Sequence, residues 1–152
     1  IDVYIDISGS MSSGCGVQDV NGNGISRIDF CKAFVAKLIE LDMLNDVYLF
    51  NNKVKKYKND VMSVSMIDTS GGTTINNAVS SIERNGVNAI ILTDAEDGCN
   101  IYSDKAFFIG LKGCNFNYFH EDTLQQYREA EQIVVFDGES IKRVNKTGHV
   151  VS

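Results

Sequence analysis

An α/β chain with a doubly wound, mainly parallel twisted sheet, helices on both faces and an antiparallel edge strand is what the sequence predicts. Two observations lead there. Short apolar runs rich in β-branched or aromatic residues alternate with stretches of helical periodicity, the pattern of βα units feeding one sheet. One run, Ala89-Ile90-Ile91-Leu92, has no polar alternation at all, which marks a strand covered on both faces.

Ile1 to Ile5 reads as the first strand, so any signal peptide would lie outside this sequence. A polar, glycine-rich segment, residues 12–25, follows it as an inserted loop. Ile28, Cys31, Val35, Leu38 and Ile39 then recur at the spacing of an amphipathic helix. Ser26, with Asp29 three residues on, supplies a capping box for that helix. Val47 to Phe50 is a second strand, and Asn51-Asn52 a tight turn into Val54 to Tyr57. The lysines there, Lys53, Lys55, Lys56 and Lys58, suit an exposed edge that resists pairing with other chains. Ile75, Ala78, Val79 and Ile82 give a second helix, starting at Thr73 or Thr74. Strands at Ala89–Leu92, Ala106–Ile109 and Ile133–Phe136 follow, with a shorter helix through Leu124, Tyr127 and Ala130. Residues 139–152 read as a terminal hairpin that turns at Lys146-Thr147-Gly148. The aromatic stretch from Tyr102 to Phe119 is assigned mainly to the core.

At 152 residues the chain fits one domain, 1–152. No apolar run approaches the ~18–20 residues that cross a bilayer, so membrane insertion is not expected. The net charge of −6 opposes binding to nucleic acid, because no overall field attracts phosphates. It favours a cation. Cys15, Cys31, Cys99 and Cys114 are scattered without a CxxC pair, and a core of this size needs no disulfide, which leans towards an intracellular chain.

In open parallel sheets, ligands bind beyond the carboxyl ends of the strands, where strand order reverses. Three oxygen-rich segments fall there: Asp6-Ile7-Ser8-Gly9-Ser10-Met11 after the first strand, Ser70-Gly71-Gly72-Thr73-Thr74 before the second helix, and Thr93-Asp94 after the buried run. Alternation in Asp6-x-Ser8-x-Ser10 lets one turning loop aim three oxygens at a point, with Gly9 permitting the turn. Hydroxyls and carboxylates are hard donors that suit Mg²⁺ or Mn²⁺ rather than zinc.

Together these segments resemble the metal-ion-dependent adhesion site (MIDAS) of von Willebrand factor A (VWA) domains, and the order of elements is similar over nearly the whole chain. The resemblance implies a Rossmann-like VWA fold. It also implies that Ser8 and Ser10 contact the metal, Thr73 contacts it directly or through water, and Asp6 and Asp94 act mostly through water. The implied activity is non-enzymatic: capture of an Asp or Glu carboxylate from a protein partner. An alternative from the same resemblance is a structural piece of an intracellular ribonucleoprotein or viral assembly, with the metal only stabilising.

Two departures from the family pattern stand out. Ala95 occupies the place after Asp94 where glycine is common, and residues 12–25 are extended. Within the latter, Asp19-Val20-Asn21-Gly22-Asn23-Gly24 looks like the start of a calcium loop, but position twelve holds Phe30 instead of an acid. A glycine-rich turn is the better reading. A metal-dependent hydrolase is disfavoured: His120 and His149 are the only histidines, and no GxSxG surrounds Ser8 or Ser10.

Overall fold

The computed structural model describes residues 1–151. Eight strands form one sheet: β1 (Asp2–Asp6), β4 (Val47–Phe50), β5 (Val54–Tyr57), β6 (Ala89–Thr93), β7 (Ala106–Leu111), β8 (Ile133–Phe136), β9 (Ile141–Val144) and β10 (Val150–Val151). Their spatial order is β10-β9-β8-β7-β6-β1-β4-β5. The five central strands are parallel, while β5 at one end and β9 and β10 at the other run antiparallel to their neighbours. Antiparallel pairing thus closes both ends of the sheet: the edge strand that the sequence pointed to at one end, and the terminal hairpin at the other.

Four helices complete the fold: α1 (Arg27–Glu40), α2 (Val61–Ser65), α3 (Ile75–Asn85) and α4 (Glu121–Glu129). Strand alternation sends neighbouring side chains to opposite faces, and β1 shows the result. Val3 and Ile5 pack with Ile28, Cys31 and Val35 of α1 and Val64 of α2. Tyr4 points the other way, among Ile75, Val79 and Ile82 of α3 and Tyr127 of α4. Helices therefore cover both faces, as a doubly wound sheet requires. Phe108 anchors the second face, with Phe116, Phe119 and Tyr127 edge-on around it. Of the aromatic stretch, Tyr118 is the residue left exposed.

Local signals act as their chemistry demands. Ser26 Oγ accepts from Asp29 N at 3.1 Å and caps α1. Lys55 and Lys56 stand exposed on the edge strand β5, and Lys56 reaches Asp46 at 3.6 Å. Residues 12–25, expected as a loop, form most of a small hairpin, β2 (Gly14–Gln18) with β3 (Gly24–Ser26). Its turn is held by Asp19 Oδ1, which accepts from Asn21 N and Asn23 N, both at 2.9 Å. The Asp19 carboxylate is thus engaged by the turn's own backbone. In the 139–152 segment, β9 and β10 pair around a turn in which Asn145 N donates to His149 O; Ser152 lies outside the described residues. No helix among the described residues is long and apolar enough to cross a membrane.

Candidate metal centre

From β1 the chain crosses over to β4, and later returns to β6 on β1's other side. Strand order reverses there, so the carboxyl ends of β1 and β6 frame the crevice where such sheets bind ligands. Asp6 is the last residue of β1 and Thr93 the last of β6. Both are fully buried, and Thr93 Oγ1 donates to Asp6 Oδ2 at 2.7 Å. Asp6 Oδ1 accepts from Ser8 N at 2.9 Å, which bends the loop back over the strand end. Burial pushes the Asp6 carboxyl up to about 6, against the opposing pull of its hydrogen bonds from Ser8 and Thr93; the nearby Asp94 raises it further.

The loop then tightens into a single 3₁₀ turn, Gly9–Ser12. This turn places Ser10 Oγ 3.2 Å from Ser8 Oγ and in a short hydrogen bond to Asp94 Oδ2. The segment before α3 is stitched to the same loop. Ser70 N donates to Ile7 O at 2.7 Å and Gly9 N to Gly71 O at 3.1 Å. Gly71 turns there with φ +79°, a conformation in which a Cβ would be strained.

The structure therefore brings Asp6, Ser8, Ser10 and Asp94 together at one strand end. Thr73 lies half-buried on the adjoining loop, two residues after Gly71, and is not part of their hydrogen-bonded chain among the described residues. Ala95, in the place where glycine is common, has φ +56° and is fully buried.

Three contributors were not read from the sequence as site residues. Thr93, the first residue of the Thr93-Asp94 motif, orients Asp6. Asp97 Oδ2 accepts from Ile75 N at 3.0 Å and so caps α3, where Thr74, the N-cap residue, makes no side-chain cap. Arg27 is the largest surprise. Its Nη1 lies 3.1 Å from Asp94 Oδ2 and 3.0 Å from Ser10 O, and its Nε and Nη2 donate to Lys112 O at 3.1 and 2.8 Å. The available signal was a cation at the first position of α1, the end of a helix where the dipole disfavours positive charge.

The donor set can be tested against Mg²⁺ or Mn²⁺. Octahedral oxygens about 2.1 Å from Mg²⁺ stand about 3 Å apart along each edge, which the Ser8–Ser10 spacing of 3.2 Å matches. Asp6 has both oxygens engaged by hydrogen bonds, which suits holding a water better than direct contact. Arg27 counts against a cation, since it cancels one of the two negative charges. No group of three His, Cys, Asp or Glu side chains gathers among the described residues, so any metal would rely on the hydroxyls. All four cysteines are free. Burial pushes the Cys99 and Cys114 thiols up to about 11 and about 12, which opposes the thiolate form that zinc needs.

No family model matches the chain, and no curated protein matches it. Solved structures do. An aerotolerance-related membrane protein from Bacteroides fragilis NCTC 9343, with multiple mutations to serines, aligns over 99% of this chain and 78% of its own, with TM-score 0.51 and 18% identity. An uncharacterized membrane spanning protein from Vibrio fischeri aligns over 72% of this chain and 69% of its own (TM-score 0.45, 17% identity). A von Willebrand factor type A protein from Catenulispora acidiphila aligns over 88% of this chain but only 37% of its own (TM-score 0.49, 16% identity). At such identities the likeness speaks for fold alone. Strand order, helices on both faces and a crevice at the β1–β6 switch point make this a doubly wound, Rossmann-like α/β fold.

Proposed function

We propose that the chain is a non-enzymatic protein-binding module that uses a divalent metal to capture a partner's carboxylate. Ser8 and Ser10 would hold Mg²⁺ or Mn²⁺ directly, Thr73 directly or through water, and Asp6 and Asp94 through water. A cation held mainly by neutral hydroxyls keeps its Lewis acidity and takes an anionic oxygen readily. The observation that carries this reading is the 3.2 Å separation of the Ser8 and Ser10 hydroxyls on the loop that the buried Asp6 carboxylate holds through Ser8 N.

The chain's own residues supply the rest. Asp6 fixes the loop through Ser8 N, and Thr93 fixes Asp6. The β2–β3 hairpin follows the site loop in sequence and is seated on the turn after β8, where a Cβ on Gly138 would meet Gly16 O at 2.8 Å. Val20 at its tip is fully exposed. Neither histidine supplies a base in this reading; the His149 ring is occupied by Thr147 Oγ1 at 3.0 Å in the terminal turn.

The test is Mn²⁺ titration followed by electron paramagnetic resonance, then addition of a short peptide carrying one Asp. Wild type should bind Mn²⁺, and Asp6→Ala and Ser10→Ala should weaken binding by roughly tenfold or more. Water-proton relaxation by the bound Mn²⁺ should fall with the Asp peptide and not with its Asn counterpart. Unchanged Mn²⁺ affinity in both variants, or equal response to the two peptides, would overturn the reading.

A further inference from the structure

We infer that Arg27 is an internal counter-cation that keeps the site assembled without a metal and lowers its affinity for one. The inference rests on the metal-binding reading above. Its basis is the Arg27 nest, which engages four of the five guanidinium N–H groups. The side chain is 9% exposed and its partner Asp94 is fully buried. Of five guanidinium N–H groups, two on Nη1 go to Asp94 Oδ2 and Ser10 O, while Nε and Nη2 share Lys112 O. One fork therefore ties the start of α1 to the loop after β1, the loop after β6 and the end of β7.

The backbone makes room for this fork. Gly113 has φ +84°, and a Cβ there would lie 2.6 Å from Arg27 Nη2. A planar, permanently charged group with donors on every side is the side chain suited to pair a buried carboxylate and two carbonyls together. Asp94, which otherwise would need a cation to be buried at all, has one supplied by the chain. Ser10, whose carbonyl Arg27 holds and whose hydroxyl bonds Asp94, is set in place by the same fork.

Two consequences follow. The loop geometry persists in chelator, unlike that of a site folded around its ion. A fixed positive charge a few ångströms away also repels any divalent cation, weakening its binding by roughly tenfold or more at the effective dielectric of such sites.

The test compares wild type, Arg27→Gln and Arg27→Met by thermal melting in EDTA and in excess Mn²⁺, with Mn²⁺ affinity measured in parallel. Wild type should keep its folded loop in EDTA, and excess Mn²⁺ should raise its melting temperature by no more than its measured affinity gives through mass action. Both variants should melt lower in EDTA, recover with Mn²⁺, and bind Mn²⁺ roughly tenfold more tightly than wild type or better. A merely structural role for Arg27 would move affinity the other way, because a loosened site binds less well. Mn²⁺ binding of equal or lower affinity in the variants would overturn the inference while leaving the metal reading intact. Absence of Mn²⁺ binding in all three proteins would overturn both. The wild-type arm stands alone if the variants fail to fold: amide-exchange protection at Ser8 and Gly9, whose N–H groups hold the loop, that disappears in EDTA refutes metal-free assembly, and protection that persists supports it.

Discussion

Asp97 Oδ2 accepts a hydrogen bond from the backbone N of Ile75 at 3.0 Å, across 22 residues of sequence. The first turn of α3 is thereby capped by the loop that follows Asp94, and not by its own N-cap residue Thr74. Helix N-termini carry unsatisfied N–H groups and a partial positive charge, so a carboxylate there answers both needs. The bond also fixes the spacing between two of the three site segments, because Thr73 lies two residues before Ile75 and Asp94 three before Asp97.

Asp97→Ala should lower stability by about 1 kcal/mol, the usual cost of removing a helix cap. Asp97→Asn keeps the acceptor and loses only the charge, so it should lose less. Urea unfolding followed by circular dichroism reads both, and Asp97→Ala unfolding at the wild-type midpoint would show that Ile75 N finds another partner at no cost.

Much of this arrangement was legible in the sequence because its signals are local. Ala89 to Leu92 needs only its lack of polar alternation to be read as a buried strand, and Ser26 with Asp29 needs three residues to be read as a cap. The oxygen-rich segments are likewise short and sit at strand ends that the apolar runs define. What escaped is non-local or weakly patterned. Arg27 meets Asp94 across 67 residues and Lys112 across 85, a pairing no spacing rule contains. The β2–β3 hairpin buries only Cys15 along β2, so glycine and polar residues hide its period. The α2 helix spans five residues, fewer than the two turns that a helical periodicity needs. Asp97 caps a helix from a distant loop, whereas sequence rules look for the cap next to the helix.

Ala95 gives a prediction in which several small terms oppose one another. Its φ of +56° is the left-handed conformation, which costs a non-glycine residue roughly 1–2 kcal/mol. Its methyl group is fully buried against the α3 and α4 face, worth about 0.8 kcal/mol. Glycine in its place would relieve the strain but lose the methyl and enlarge the unfolded ensemble by about 0.4–1 kcal/mol. Ala95→Gly should therefore shift stability by less than about 1 kcal/mol in either direction. Ala95→Val adds a β-branched side chain to a strained backbone in a filled site, and should cost about 2–3 kcal/mol or more. Chemical denaturation of the two variants decides it: Ala95→Val matching wild type would mean that the loop relaxes out of the left-handed region.

The turn after β8 sets the acid limit of its hairpin. Asp137 Oδ1 accepts from Glu139 N and Ser140 N, both at 2.9 Å, and Lys142 Nζ lies 3.1 Å from Asp137 Oδ2. The backbone N–H groups of Ser140 and Glu139, followed by Lys142, hold this carboxyl down at about 2, against 3.8 for an ordinary Asp. The folded state thus prefers the charged form, and its contribution to stability is complete above the unfolded value. It is lost as pH falls from there through about 2. Carboxyl carbon NMR of the native protein should give Asp137 a titration midpoint near that value. Amide exchange at Glu139 and Ser140 should speed up over the same interval, while the central strands stay protected. Asp137→Asn, which cannot ionise, should show no such acceleration. A midpoint close to 4 in the wild type would mean that the turn's N–H groups do not hold the carboxylate in solution.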